Sequence, residues 1–255
     1  MENVSLPEIH HHGEYFLLKL IKPGIMKEPL QCNLRVRELL VEKASIKQEV
    51  FRKSKDYFRI LKTVVEGVTS CVADEVEKVD EALKLEYVDN NPNECELHFS
   101  GDVLLFNMHT NVFTFDKSHR VWHTSYLKED KRRAYFAMIN IYNFLADSLK
   151  YQRMNDAGLL LARVFINREG HFFVEGKKQM SFIFNHLGQQ KMDEEHVKEL
   201  VDAAMICSLE HDLTVPDYKD VMRVSVKQIR VLSNELQLKT AKKIDFGYYP
   251  RMQSQ

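Results

Sequence analysis

From Leu61 onward the apolar positions run Leu61, Val65, Val68, Val72, Val76, Val79 and Leu83, in steps of three and four. That spacing places them on one face of a helix. No proline falls between Pro29 and Pro92, and Gly67 is the one weak residue inside the stripe. The pattern predicts a long amphipathic helix over about 54–84, roughly 45 Å at 1.5 Å per residue. An extra four-residue step at Val72–Val76 breaks a clean heptad, so the stripe suits packing across a sheet better than a coiled coil. A homodimer through this helix is the competing expectation. Upstream, "EYFLLKLIK" (residues 14–22) reads as a short strand-like run ending at the turn signal Pro23-Gly24.

After Asp89-Asn90-Asn91-Pro92 the period falls to two. "CELHFSGDVLLFNMHTNVFTFD" predicts a three-stranded meander with two-residue loops at Gly101-Asp102 and His109-Thr110. In that register Phe99 faces Leu104, Leu97 faces Phe106, and Phe113 and Phe115 continue the same apolar face. Residues 128–150 return to helical spacing through Phe136, Ile139, Asn143/Phe144 and Leu149. "DAGLLLARVFINREGHFFVEGKKQ" then predicts a hairpin whose loop is Arg168-Glu169-Gly170, with Gly170 in the left-handed position. The pairs are Ile166–Phe172, Phe165–Phe173, Val164–Val174 and Arg163–Glu175.

An acidic helix capped by Asp193 follows, with Glu194 and Glu195 in its first turn. The fold class is therefore α+β: a largely antiparallel sheet, meander plus hairpin, packed by a long N-terminal helix and a central helix, with a helical C-terminal part. The domain reading is an α+β domain over 1–188 and a helical segment over 189–255, with a soft boundary at "GQQKM".

Composition adds limits. The formal charge of −1 leaves no global basic field for nucleic acid, so any partner is recognised by a local patch. Cys32, Cys71, Cys95 and Cys207 are widely spaced and form no C-x-x-C, which fits a reducing compartment. No run approaches the roughly 18 apolar residues of a membrane span. The expectation is a cytoplasmic protein with no membrane partner.

Three groupings carry candidate chemistry. Asp156, Glu175 and Lys177 supply the two carboxylates and lysine with which a nuclease can bind Mg²⁺ and activate water. The hairpin register gives Glu175 the partner Arg163 instead, whose charge repels a cation. His98, His119 and His123 with Asp102 could converge at one end of the meander, but with no recognised ligand spacing. The triplet His10-His11-His12 and the Cys207/His211 pair read as surface and packing. Gly-rich phosphate loops, G-x-S-x-G and H-E-x-x-H are all missing from the sequence. No catalytic, cofactor-binding or metal residue is assigned.

The third grouping is basic. Lys219 to Arg251 holds eight Lys/Arg against three acids. Within it "DYKDVMR", a Val224-Ser225 turn and "VKQIRVLSNEL" have a helix-turn-helix flavour. Val226, Ile229 and Leu232/Leu236 would pack inward, leaving Lys227, Gln228 and Arg230 for phosphates or base edges. The leading expectation is a non-catalytic regulatory or interaction protein that contacts nucleic acid through this segment. The alternative is the Mg²⁺-dependent nuclease.

Overall fold

The computed structural model describes residues 33–234 apart from 216. The chain divides at Glu42/Lys43 into two units. The described part of the first holds α1 (Leu34–Leu39), capped by Asn33, whose side chain accepts from the Arg35 and Val36 amides. The second contains α2 (Ser45–Val76), β1 (Leu85–Asn91), β2 (Glu94–Phe99), β3 (Asp102–Met108), α3 (Ser125–Glu129), β4 (Phe136–Leu145) and α4 (Ala146–Lys150). It continues with β5 (Leu159–Asn167), β6 (Phe172–Gly176), α5 (Lys178–Ile183), α6 (Glu194–Leu209), α7 (Tyr218–Val221) and α8 (Val226–Asn234). The strand-like run 14–22 and the triplet His10–His12 lie outside the described residues.

The six strands form one antiparallel sheet in chain order, β1-β2-β3-β4-β5-β6. The α+β class and the antiparallel sheet stand as read from the sequence. The long helix also forms, but it starts and stops earlier than its expected 54–84. Its buried stripe extends N-terminally through Ile46, Val50, Ser54 and Phe58 before reaching Leu61, Val65 and Val68. Past Val76 the chain turns, with the Glu77 amide bonded to Ala73 O and the Asp80 amide to Val76 O. Val79 then stands 84% exposed. Phe58, Leu61 and Val65 are fully buried, each contributing on the order of 1.5–3 kcal/mol.

Two expectations are corrected. The segment 128–150 is not a central helix: Phe136–Leu145 is β4, paired with β3 on one side and β5 on the other. Ile139 and Ile141 face the helices while Phe136 is buried on the opposite face. A strand apolar on both faces loses its period of two, and the remaining spacing imitates a helix. The third strand of the predicted meander also fails to form. Phe113 makes one bridge, to Phe136, and the place beside β3 belongs to β4. The β2–β3 turn is Ser100-Gly101, with Ser100 at φ 52°, so Leu97 pairs with Leu104 and Cys95 with Phe106. That register differs from the predicted one by an even number. Leu97, Phe99, Leu104 and Phe106 therefore share one buried face as expected, whereas Phe115 lies in a second cluster.

The β5–β6 hairpin matches its predicted register pair for pair, and Arg163 lies 2.7 Å from Glu175. Gly170 takes φ +82°. The loop that follows β6 closes that edge, with the Val174 amide bonded to Phe184 O and the Phe172 amide to Gln190 O.

The sheet is covered unequally. Its inner face packs with α2, α5 and α6 into one core, to which α6 gives Val197, Leu200, Val201 and Ala204. The soft boundary at 188–192 is thus a loop leading into a helix of the same core. Asp193 caps α6 as expected, accepting from the His196 amide. On the outer face, the excursion 109–135 lies over the β4–β6 half through Phe115, Val121, Trp122, Tyr126, Leu127 and Ala134. Tyr126 ties this excursion to the hairpin loop. Its hydroxyl donates to Glu169 (2.7 Å) and accepts from Asn167 Nδ2 (2.8 Å), while Arg133 lies 4.3 Å over its ring and bonds Glu169. Burial pushes the Tyr126 hydroxyl up to about 12, so it remains a donor.

A Cβ at residue 170 would lie 2.7 Å from the Tyr57 hydroxyl, at a backbone angle that side chains rarely adopt. Gly170→Ala is expected to cost about 1–3 kcal/mol in urea unfolding. Tyr57→Phe in the same chain should recover the steric part and leave the backbone part. A neutral Gly170→Ala would contradict the hairpin geometry.

His171 sits below the ordinary imidazole value of 6.5, first through burial and then through Lys191 and Arg133, with the Gln190 carbonyl and Glu169 opposing. The native ring therefore stays neutral where the unfolded chain takes up a proton. Its contribution is complete above 6.5 and is lost as pH falls through that value toward the lower native one. Glu169 is also held low: hydrogen bonds from Tyr126 and Arg133 and nearby arginine charge outweigh burial, so its contribution is lost at still lower pH. The urea midpoint should fall between about pH 7.5 and about pH 5.5, and His171→Gln should flatten that slope. A wild-type midpoint unchanged over that interval would overturn this assignment.

Candidate interaction surface

The nuclease residues are held by three separate sets of partners. Asp156 accepts from Ser148 Oγ (2.7 Å) and pairs with Arg153 (3.1 Å), anchoring the loop between α4 and β5. Glu175 bridges Arg163 and His119, the latter at 3.2 Å. Lys177 Nζ lies 3.2 Å from His211 Nδ1. The histidines are likewise dispersed. His98 Nε2 is 2.6 Å from Glu96, and the His119 ring stacks on Phe115 at 4.2 Å while its Nδ1 accepts from the Val121 amide. Among the described residues no three His, Cys, Asp or Glu side chains are grouped to hold a metal ion. Cys95 and Cys207 are buried in the core, and burial pushes the Cys95 thiol up to about 12.

A cleft of about 710 Å³ opens between the β2–β3 turn, α4 and the end of α6. Its lining mixes Asp102, Asp147 and Asp212 with Lys150 and His211. Behind it Asn143 Nδ2 donates to Asp102 and to Ser208 Oγ, joining β4 to α6.

The two C-terminal helices form where the sequence placed them. Ser225 begins α8 with a reciprocal cap: the Gln228 amide donates to Ser225 Oγ (3.1 Å), and the Ser225 amide donates to Gln228 Oε1 (2.6 Å). Gln228 is thereby occupied in capping. Lys227 and Arg230 are exposed. Val226 and Ile229, expected to pack inward, are 73% and 47% exposed; the side chains of Leu232 and Leu236 lie outside the described residues. The four-residue α7 offers no buried face to receive them. The exposed apolar series begins earlier, at Ile206 and Leu209 of α6, and continues through Leu213, Val215, Tyr218 and Met222. Sequence reading missed this series because an amphipathic helix looks the same covered or bare.

A second open surface lies on the outer face of the sheet, over β1–β4 and beyond the excursion. The register places Val88, Leu105, Tyr142 and Phe144 there beside Glu86, Glu94 and Glu96. Asn90 and Asn107 hold the Glu94 carboxylate, and Asn90 and His98 hold Glu96. Burial raises the Glu96 carboxyl, but the His98 bond exceeds that and with Asn90 keeps it below its usual range. The face is therefore half apolar and anionic.

Fold and surface together define an α+β protein with a bare amphipathic C-terminal helix and an open, acidic sheet face. Comparison of the chain with protein-family models, curated proteins and solved structures gives no match. Among the described residues no helix is long and apolar enough to cross a membrane.

Residues 226–230 of α8 are exposed, so its cap matters more than in a packed helix. Ser225→Ala is expected to cost the helix about 1 kcal/mol and to raise amide exchange across 226–234 severalfold. The unfolding midpoint of the core should stay unchanged. Loss of global stability at a concentration where the chain is monomeric would show that α8 is docked on its own core.

Proposed function

We propose that this chain is a non-catalytic interaction protein, cytoplasmic and regulatory in character, whose contact arm is the C-terminal segment from Ile206 to Arg230. The observation that carries the reading is the run of large apolar side chains left bare along that segment, Val215, Tyr218 and Val226 above all. Contiguous exposed apolar surface in a well-packed protein marks a place where another surface binds. Cys71, Cys95 and Cys207 form no disulfide among the described residues, which supports a reducing compartment. The apolar stripe of α2 is buried against its own sheet and α6, so association is assigned to the arm.

Nucleic-acid contact through Lys227, Gln228 and Arg230 is the second reading. It is favoured by two exposed cations on a helix with no acid. It is weakened by the engagement of Gln228 in the cap.

A photo-crosslinking residue at position 229 separates the two in the native cell. The expected product is a protein adduct, lost when Val226→Asp is added. Steeply salt-dependent shifts of duplex or single-stranded DNA that require Lys227 and Arg230, with no protein adduct, would replace the interaction reading with the nucleic-acid one.

A further inference from the structure

The open sheet face and the bare helix are complementary in three respects. The first is charge. The outer face of β1–β4 presents Glu86, Glu94 and Glu96, and the partners of Glu94 and Glu96 are asparagines and His98 rather than lysine or arginine. The described residues of α8, 226–234, carry Lys227 and Arg230 and no acid. The second is texture. Val226 and Ile229 stand one turn apart on α8, and Leu105, Tyr142 and Phe144 are partly buried on the sheet, each keeping some surface open to solvent. The third is length. The described part of α8, nine residues, spans about 14 Å, enough to cross the three gaps from β1 to β4, which also span about 14 Å.

α8 does not lie on its own sheet: residues 217–230 are exposed throughout. A helix laid on one face buries half the area of a reciprocal exchange, which doubles the contact and closes a two-fold dimer. We infer that α8 of one copy docks across the outer face of β1–β4 of a second copy, apolar side inward, with Lys227 and Arg230 over the glutamates. This rests on the reading of the C-terminal segment as a contact arm and names its partner.

The test is the sedimentation mass of the full chain from low to high micromolar concentration. The expected result is a concentration-dependent shift from 30.0 kDa toward twice that mass. Val226→Asp with Ile229→Asp should hold the chain monomeric, and so should Leu105→Arg on the sheet face, with circular dichroism unchanged. Mixing these two variants should restore only weak association, because the mixed pair keeps one of the two docked helices. Lys227→Glu with Arg230→Glu should weaken association at least tenfold, and Glu86→Lys with Glu96→Lys in the same chain should recover it.

A wild-type monomer whose α8 amides are protected from exchange would mean docking within one chain and would overturn the exchange. A monomer whose α8 amides are unprotected would overturn the docking altogether. If position 229 crosslinks only to a different protein, the arm remains a contact arm and the self-docking falls. If it crosslinks to no protein, both fall.

Discussion

β4 has a paired strand on each side and a buried surface in each direction, and the distribution of everything else follows from that position. A strand in the middle of a meander must receive its neighbours from both directions along the chain. β3 and β5 occupy those places, so residues 109–135 cannot remain in the sheet and must cross one of its faces. The inner face is already filled by α2 and α6. The excursion therefore lies on the outer face. It is long enough to cover only the β4–β6 half, where Phe136, Phe165 and Phe173 await it. The open half over β1–β3 is the remainder of this arrangement, and its acidic, half-apolar character is what such an uncovered remainder requires to stay hydrated.

What fixes the excursion in place is a small polar assembly rather than more apolar contact. Tyr126 reaches the hairpin loop through Glu169 and Asn167, and Arg133 closes the circuit by bonding Glu169, Glu129 and the Tyr126 carbonyl. Gly170 and Gly188 give the room this needs, since a Cβ at either would press on Tyr57 or Tyr126. From α2, Lys53 adds a bond to the Arg168 carbonyl. One hairpin loop thus joins a helix on one face to the excursion on the other. Charged partners in a half-buried setting strengthen each of these bonds.

The parts legible in the sequence were those governed by local geometry. Arg168-Glu169-Gly170 set the β5–β6 register because a glycine in the left-handed position leaves one way to close the loop. For β2 and β3, alternation gave the correct face with the wrong turn, since a period of two constrains parity and not offset. Asp193 and Ser225 announced their helices through side chains that bind the first free amides. β4 was illegible for the opposite reason: "FAMINIYNFL" is apolar in both directions because of what lies above and below it, and no local pattern records that. The bare face of α8 belongs to the same category. Its residues could be read, but whether a neighbour covers them is a property of the whole fold.

The edges of the sheet show why any contact with the open half is made through side chains over the face, not by adding a strand. At β6 the chain itself occupies the edge, through Phe184 and Gln190. At β1 the strand has only β2 beside it, and the register shifts between Asp89 and Asn91. Lys62 of α2 reaches across to Asp89 and donates to the Asn91 carbonyl at 2.6 Å, pinning the irregular end. An edge that is bulged, acidic and clamped from the helix side is a poor template for another strand. The face is different: its apolar groups are spread over several strands and its charges have one sign, which suits a helix laid across the strands. Edge and face thus select the same kind of contact, an amphipathic basic helix, and α8 is such a helix on the same chain.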